Sequence, residues 1–116
     1  MPKFAILLEI DEYGHRSYTK LQEAEHIEVI RRWVVATHGL SHMYVLRVNP
    51  DGSQPMFKKT LTTNGEQVWK PTEHCAAKMA AVCDRLVPWM RQALGTTLPK
   101  ELVDTSQGVW VEKMFY

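Results

Sequence analysis

The segment KFAILLEIDE, residues 3–12, decides the fold, because its apolar residues are ended abruptly by acids. Even and odd positions are both apolar until Glu9, which is typical of a central strand covered on both faces. Glu9 and Asp11 are two residues apart, so their side chains leave the same face of the strand. We therefore predict a strand over 3–12 with two carboxylates side by side at its C-terminal end.

A helix and a second strand follow this segment. Thr19 and Gln22 have the spacing of a capping box, and apolar residues at three- and four-residue intervals predict a helix from Thr19 to about Val35. Met43–Val48 reads as a strand, stopped by the turn sequence at 49–52. Strand, helix and strand of these lengths predict a parallel βαβ unit, and ligands of such sheets lie beyond the carboxyl ends of the strands.

The second half of the chain predicts a hairpin, a helix and a last strand. Residues 53–71 are polar, and Asn64-Gly65 is the strongest hairpin signal. Thr72 can cap a second helix, whose apolar stripe runs from Ala76 through Met79 to Met90 and which Pro88 should kink or split. Residues 109–116 alternate enough for a final strand. The expected fold is α/β: a small mixed sheet with a βαβ unit and a second helix.

Length and composition limit the class of protein. With 116 residues, the chain forms one domain, 1–116, and no apolar run approaches the ~20 residues that span a bilayer, so we expect no membrane partner. The net charge of +1 is not that of a dedicated nucleic-acid binder, although Lys58-Lys59 leaves a local basic face open. The four tryptophans are more typical of packing than of base stacking.

The two cysteines indicate a reducing compartment. Cys75 and Cys83 are eight residues apart in a predicted helix, a separation of ~12 Å along its axis, which is too far for a disulfide. Unpaired thiols predict an intracellular protein of the cytoplasm or nucleus.

The paired acids suggest a metal site. Two neighbouring carboxylates repel each other at a buried sheet end, and Mg²⁺ (or Mn²⁺) would relieve that repulsion. Such an ion can neutralise a phosphate and lower the pKa of a water, and His15 could act as general base beside it. The alternative is that the acids are ordinary surface chemistry at the end of a strand.

Three blocks of sequence resemble a known family. Glu9-Ile10-Asp11-Glu12, with His15 and Tyr18, resembles the E-x-D-E-x-x-H-x-x-Y segment of a PD-(D/E)XK-like nuclease group found in large DNA viruses and algae, which is distantly similar to very-short-patch-repair endonucleases. Residues 46–51, LRVNPD, resemble that group's I-R-F-N-P-D, and 114–116, MFY, resemble its closing L-F-Y. The blocks occur in the expected order across nearly the whole chain.

The resemblance implies a metal-dependent endonuclease-like domain that acts on the phosphodiester bonds of DNA. By position, Glu9 and Asp11 match its metal-binding and catalytic acids, and His15 matches its histidine after the strand. Arg47 and Asn49 match its second-strand block, where structural and phosphate-contacting roles are both open. The implied nucleic-acid contacts are Arg47, Asn49, Lys58 and Lys59.

Two departures limit this expectation. The nuclease core carries another aspartate on a strand upstream, whereas this chain starts only eight residues before Glu9. The group also tends to place arginine three residues after a helix glutamate, where Glu23 is here followed by His26. We therefore expect an incomplete restriction-endonuclease-like core. The alternatives are a site completed by an oligomer or a second chain, a catalytically inactive nucleic-acid-binding or assembly module of the same fold, and a generic α/β protein.

Overall fold

The computed structural model describes residues 4–11, 20–52, 54–95, 97–105 and 108–116. Within these ranges the chain is a mixed α/β protein with one parallel and one antiparallel sheet. Its elements in chain order are β1 (Ala5–Ile10), α1 (Lys20–His38), β2 (Met43–Val48), β3 (Phe57–Leu61), β4 (Gln67–Pro71), α2 (Cys75–Ala93), α3 (Lys100–Val103) and β5 (Val109–Met114).

The parallel sheet has the strand order β1-β2-β5. β1 and β2 pair in parallel, with Glu9 opposite Arg47, which confirms the βαβ unit. All six residues of β2 are buried, so β2 is the central strand. The prediction that the Glu9 strand is central is wrong within the described ranges, because β1 has only β2 beside it and β5 takes the other side of β2. The far end of β1 is accordingly half exposed at Leu8 and Ile10.

One face of the sheet is covered by α1. Val34 packs on Met43 and Val45 of β2. Partly buried side chains complete this layer: Ala5, Leu7, Ile27, Ile30, Leu40 and Val109. The helix runs three residues beyond the predicted Val35, and Gly39 follows it with a φ of 67°, a conformation that glycine adopts without strain. The predicted cap at Thr19 lies outside the described residues.

The opposite face is covered by α2, whose central contact is aromatic. Trp89 stacks on Tyr44, with ring centroids 3.9 Å apart, and meets Phe4 edge-on at 5.9 Å. The same core contains Leu46, Val48, Val82, Ala93 and Leu102. The predicted apolar stripe of this helix is wrong at most positions, because Met79 and Met90 are about half exposed and the helix turns its Val82–Trp89 side to the sheet. Leu86, which belongs to the predicted stripe, does pack against this core.

Pro88 does not split α2, which is continuous from Cys75 to Ala93. The proline and Asp84, whose carbonyl loses its helical N–H donor, both lie on the exposed side of the helix. Water can hydrogen-bond that carbonyl there, so the helix tolerates the proline. The helix begins at Cys75 and its N-cap is His74, not the predicted Thr72. The Thr72 hydroxyl instead accepts from the His74 N–H and donates to the Pro55 carbonyl.

β3 and β4 form the predicted hairpin, an antiparallel two-stranded sheet that we call the ribbon. Its turn contains Gly65 with a φ of 78°, as the Asn-Gly signal requires. At its base, the Met56 N–H donates to Pro50 and the Thr72 N–H donates to Met56. Eight of its ten strand residues are exposed, so the ribbon contributes little to the core.

The structure also bears on the predictions about the two cysteines and about membrane-spanning segments. Cys75 is buried and Cys83 exposed, and both are free thiols, as their spacing predicts. Among the described helices none has the length and apolar character needed to cross a bilayer.

The first prediction concerns the Trp89 stack. Trp89→Ala should lower the free energy of unfolding by about 3–5 kcal/mol, because it opens a cavity between α2 and the sheet. Urea denaturation measures this loss. Trp33→Ala is the matched control: Trp33 is 58% exposed on α1, and its loss should change stability by no more than about 0.5 kcal/mol. Equal destabilisation by both changes would contradict the assigned core.

Candidate functional site

The site is built around a buried arginine at the end of the parallel sheet. The strand register aligns Glu9 of β1, Arg47 of β2 and Lys113 of β5 in one row. The row lies on the α1 side, because residues two positions earlier pack against that helix. Arg47 is only 3% exposed, and its Nε lies 2.6 Å from Asp11 Oδ2 and 4.0 Å from Glu9 Oε2. One guanidinium therefore faces both predicted metal-binding acids.

Helix α1 adds two more polar side chains. Glu23 Oε2 lies 2.9 Å from Arg47 Nη1 and 3.7 Å from Lys113 Nζ, while His26 Nε2 lies 3.2 Å from Glu9 Oε1. These contacts join all three parallel strands to α1. We call this group the Arg47 cluster, and it comprises Glu9, Asp11, Glu23, His26, Arg47 and Lys113.

Charge balance explains why these groups can lie so deep. Asp11 is fully buried, and a buried carboxylate is tolerated only beside a compensating charge. Three carboxylates in the cluster face two permanent cations, and His26 can supply a third positive charge when protonated. The Arg47 guanidinium holds the pKa of Glu23 below its ordinary value of 4.5, against the opposing effect of burial. Burial alone would lower the pKa of Arg47, but Glu23 and Asp11 together raise it.

The chain end and the turn after β2 border the cluster. Asn49 is buried. Its side-chain Oδ1 accepts from the backbone N–H of Asp51 at 3.0 Å, and its backbone N–H donates to the Met114 carbonyl. The Tyr116 ring lies 6.0 Å from the Arg47 guanidinium carbon and 5.2 Å from Lys113 Nζ, within reach of cation–π attraction. Asn49 thus fixes the turn and β5, and Tyr116 covers the two cations.

The structure brings together some of the predicted site residues and separates others. Glu9 and Asp11 face the same guanidinium, as their spacing predicts. Arg47 is buried among carboxylates, which favours the structural alternative over a phosphate contact. Lys58 and Lys59 lie on the ribbon, in a different sheet from the acids. His15 lies outside the described residues.

The donor set fits Mg²⁺ only in part. The carboxylate oxygens of Glu9 and Asp11 are hard ligands of the kind that Mg²⁺ prefers. However, Asp11 Oδ2 is already in contact with Arg47 Nε, so a cation bound there would lie against a guanidinium. No group of three or more His, Cys, Asp or Glu within the described ranges is arranged to hold a metal. A site at these acids would therefore be weak and would compete with Arg47.

Four members of this arrangement were not predicted as site residues: Glu23, His26, Lys113 and Tyr116. A signal for the first two exists in the sequence. Glu23 and His26 precede Ile30 by seven and four residues, so they share the inward face of α1. Polar residues on such a face, level with acids at the end of a neighbouring strand, indicate a buried polar cluster.

The second prediction tests the guanidinium. Arg47→Met should destabilise the protein by about 3–5 kcal/mol at neutral pH, because it leaves buried carboxylates facing each other. Since the pKa of Glu23 is lowered in the folded state, the stabilisation it gains from Arg47 is present above pH 4.5 and is lost as pH falls through its folded pKa. The difference between the variant and the parent protein should therefore shrink in acid.

Urea denaturation at pH 7 and pH 3.5 makes the measurement. Arg32→Met is the control, because Arg32 also pairs with a glutamate on α1 but its side chain is 75% exposed. Its loss should change stability by no more than about 1 kcal/mol at either pH. A loss at Arg47 that is equally small would contradict the central role of its guanidinium.

Comparison with known protein families, with curated proteins and with solved structures finds no significant match. The chemistry of the Arg47 cluster and of the ribbon is therefore the basis for inferring what the protein does.

Proposed function

We propose that the chain is a metal-dependent endonuclease-like domain that acts on DNA, of the PD-(D/E)XK type, in which an arginine neutralises the acidic site. The observation that carries the proposal is the convergence of Glu9 and Asp11 on Arg47 at the carboxyl ends of adjacent parallel strands. In open α/β sheets, this edge is where ligands bind.

The three blocks that resemble the nuclease group support the proposal by their proximity. Asp11 from the first block contacts Arg47 from the second. The Asn49 N–H of the second block donates to the Met114 carbonyl of the third, and the Tyr116 ring lies beside Arg47. Three segments far apart in the chain thus meet at one polar site.

Glu9 and Asp11 would hold the Mg²⁺ ion. When bound, the ion would neutralise charge on the attacked phosphate and lower the pKa of a coordinated water. Arg47 opposes its binding because the guanidinium already neutralises Asp11. We therefore expect weak metal binding and little or no cleavage of duplex DNA by these 116 residues alone.

The second candidate is a catalytically inactive nucleic-acid-binding or assembly module of the same fold. The contacts of Arg47 with Asp11 and Glu23 favour it, since a buried ion-pair cluster can serve the fold without any metal. The two candidates differ in whether the acids bind a divalent cation at all.

The third prediction separates them by calorimetry. Titration of Mn²⁺ into the protein should show weak binding that is lost in the Glu9→Gln/Asp11→Asn double variant. The control is Glu101→Gln/Asp104→Asn, which removes the same two charges from exposed positions in and after α3 and should bind Mn²⁺ like the parent. Circular dichroism verifies that each variant is folded. Equal heats from the site variant and the parent would reject a metal at Glu9 and Asp11 and favour the inactive module.

Cleavage is measured separately on supercoiled plasmid with Mg²⁺ or Mn²⁺. The expected result is little or no nicking by the parent chain. Robust metal-dependent nicking that disappears in the Glu9→Gln/Asp11→Asn variant, but persists in the control, would show a working nuclease whose site is completed in another way. Such a result would overturn the expectation that Arg47 limits catalysis.

A further inference from the structure

The ribbon is the part of the described chain with the least packing on its faces. In β3 and β4 only Thr60 and Val68 are partly buried, and the other residues are exposed. An isolated two-stranded sheet has little stability of its own in water, because it lacks a third strand or a helix to cover it. An exposed ribbon of this kind is therefore suited to contact another molecule.

The pairing register gives the ribbon two chemically different faces. Phe57, Lys59 and Trp69 lie on the first face, together with Leu61, Gln67 and Pro71. Trp69 is 56% exposed, and the Nζ of its cross-strand partner Lys59 lies 5.6 Å from its ring centroid. The indole thus keeps accessible surface for stacking, and the Lys59 ammonium over its ring supplies a positive charge at that surface.

The second face carries an unfavourable pair of like charges. Lys58 lies directly opposite Lys70, and like charges at such positions destabilise a sheet. The two strands hold three lysines and no acid. An anion bound between Lys58 and Lys70 would relieve their repulsion, which makes the ribbon complementary to a polyanion.

We propose that the ribbon binds single-stranded DNA that passes around both of its faces. On the first face an unpaired base stacks on Trp69 and Lys59 neutralises its phosphate, and on the second face Lys58 and Lys70 neutralise neighbouring phosphates. Stacking and phosphate neutralisation together are how sequence-tolerant single-strand binding is built. An exposed indole favours an unpaired strand over a duplex, because duplex bases keep their faces stacked on each other. The choice of DNA rests on the proposed function, whereas the single-strand contact rests on the ribbon itself.

The test is fluorescence anisotropy of a labelled 20-mer of thymidine in EDTA, so that no metal contributes. Trp69→Ala should weaken binding by about 5- to 140-fold, the effect of losing one stacked base. Trp69→Phe should retain part of the affinity, since it keeps an aromatic face. Trp33→Ala, which removes an equally exposed indole from α1, should bind like the parent. A 20-mer with abasic sites should bind weakly, and its binding should not depend on Trp69.

The lysines are tested by salt dependence. Lys58→Gln/Lys70→Gln should reduce the slope of log affinity against log salt by about 1.4, the value for two single-strand phosphate contacts. Arg91→Gln/Lys100→Gln removes two cations from exposed sites on α2 and α3 and should leave the slope unchanged. A slope lowered equally by both double variants would indicate general attraction to positive charge and would overturn the assigned contacts.

Binding partners other than single-stranded DNA would give different results in these assays. Duplex DNA bound as tightly as the single strand and independently of Trp69, or a clear preference for RNA of the same sequence, would overturn the proposal. So would a dimer that Trp69→Ala dissociates in sedimentation, because the ribbon would then be covered by a second copy. Failure of the metal site is distinguishable: Glu9→Gln/Asp11→Asn should still bind the 20-mer in EDTA.

Discussion

The constraint on which the rest of the structure depends is that a guanidinium inside a sheet must be surrounded by acceptors. Arg47 lies on the central strand, all of whose residues are buried, so its charge must be balanced by nearby carboxylates. Asp11 supplies one from the end of β1 and Glu23 supplies another from α1. A slip of one residue between β1 and β2 would turn Glu9 and Asp11 to the other face and leave Arg47 without them. The cluster thus fixes the strand register and holds the first turn of α1 at the carboxyl end of the sheet.

The same cluster links stability to the proposed chemistry. In the proposed function, the carboxylates that would hold a metal are the same ones that contact Arg47, so the two cations would exclude each other by charge. The contact of Arg47 with Asp11 stabilises this end of the sheet and would oppose the binding of a divalent ion there. Lys113 adds a second positive charge to this balance, and the electron-rich face of the Tyr116 ring stabilises both cations. In the proposed function, a metal would compete with the guanidinium for the carboxylates, and a phosphate would compete with the carboxylates for the guanidinium.

The ribbon obeys a different constraint. The parallel sheet is covered on both faces by α1 and α2, whereas little of the protein packs on either face of the ribbon. The lysines and aromatic side chains of the ribbon therefore remain accessible to a binding partner and are not buried in the core. The molecule thus combines a packed sheet carrying buried acids with an exposed arm carrying lysines and an indole. In the proposed function, the acids of the parallel sheet would hold the reacting phosphate, and the ribbon would bind the DNA strand that contains it.

The sequence by itself determined the local features. Apolar periodicity predicted β1, α1 and β2 and their parallel pairing, and the Asn64-Gly65 turn predicted the ribbon, because these depend on neighbouring residues and on the allowed backbone conformations. The i, i+2 spacing also placed Glu9 and Asp11 on one face. Only the tertiary structure decided that β2 is central, that α2 buries Trp89 and exposes its methionines, and that the acids face Arg47. Those outcomes depend on which distant segment covers each face, and periodicity specifies a face without specifying its partner. An ion pair such as that of Arg47 with Glu23 joins residues 24 positions apart in the chain, so it exists only once the sheet and helix have packed.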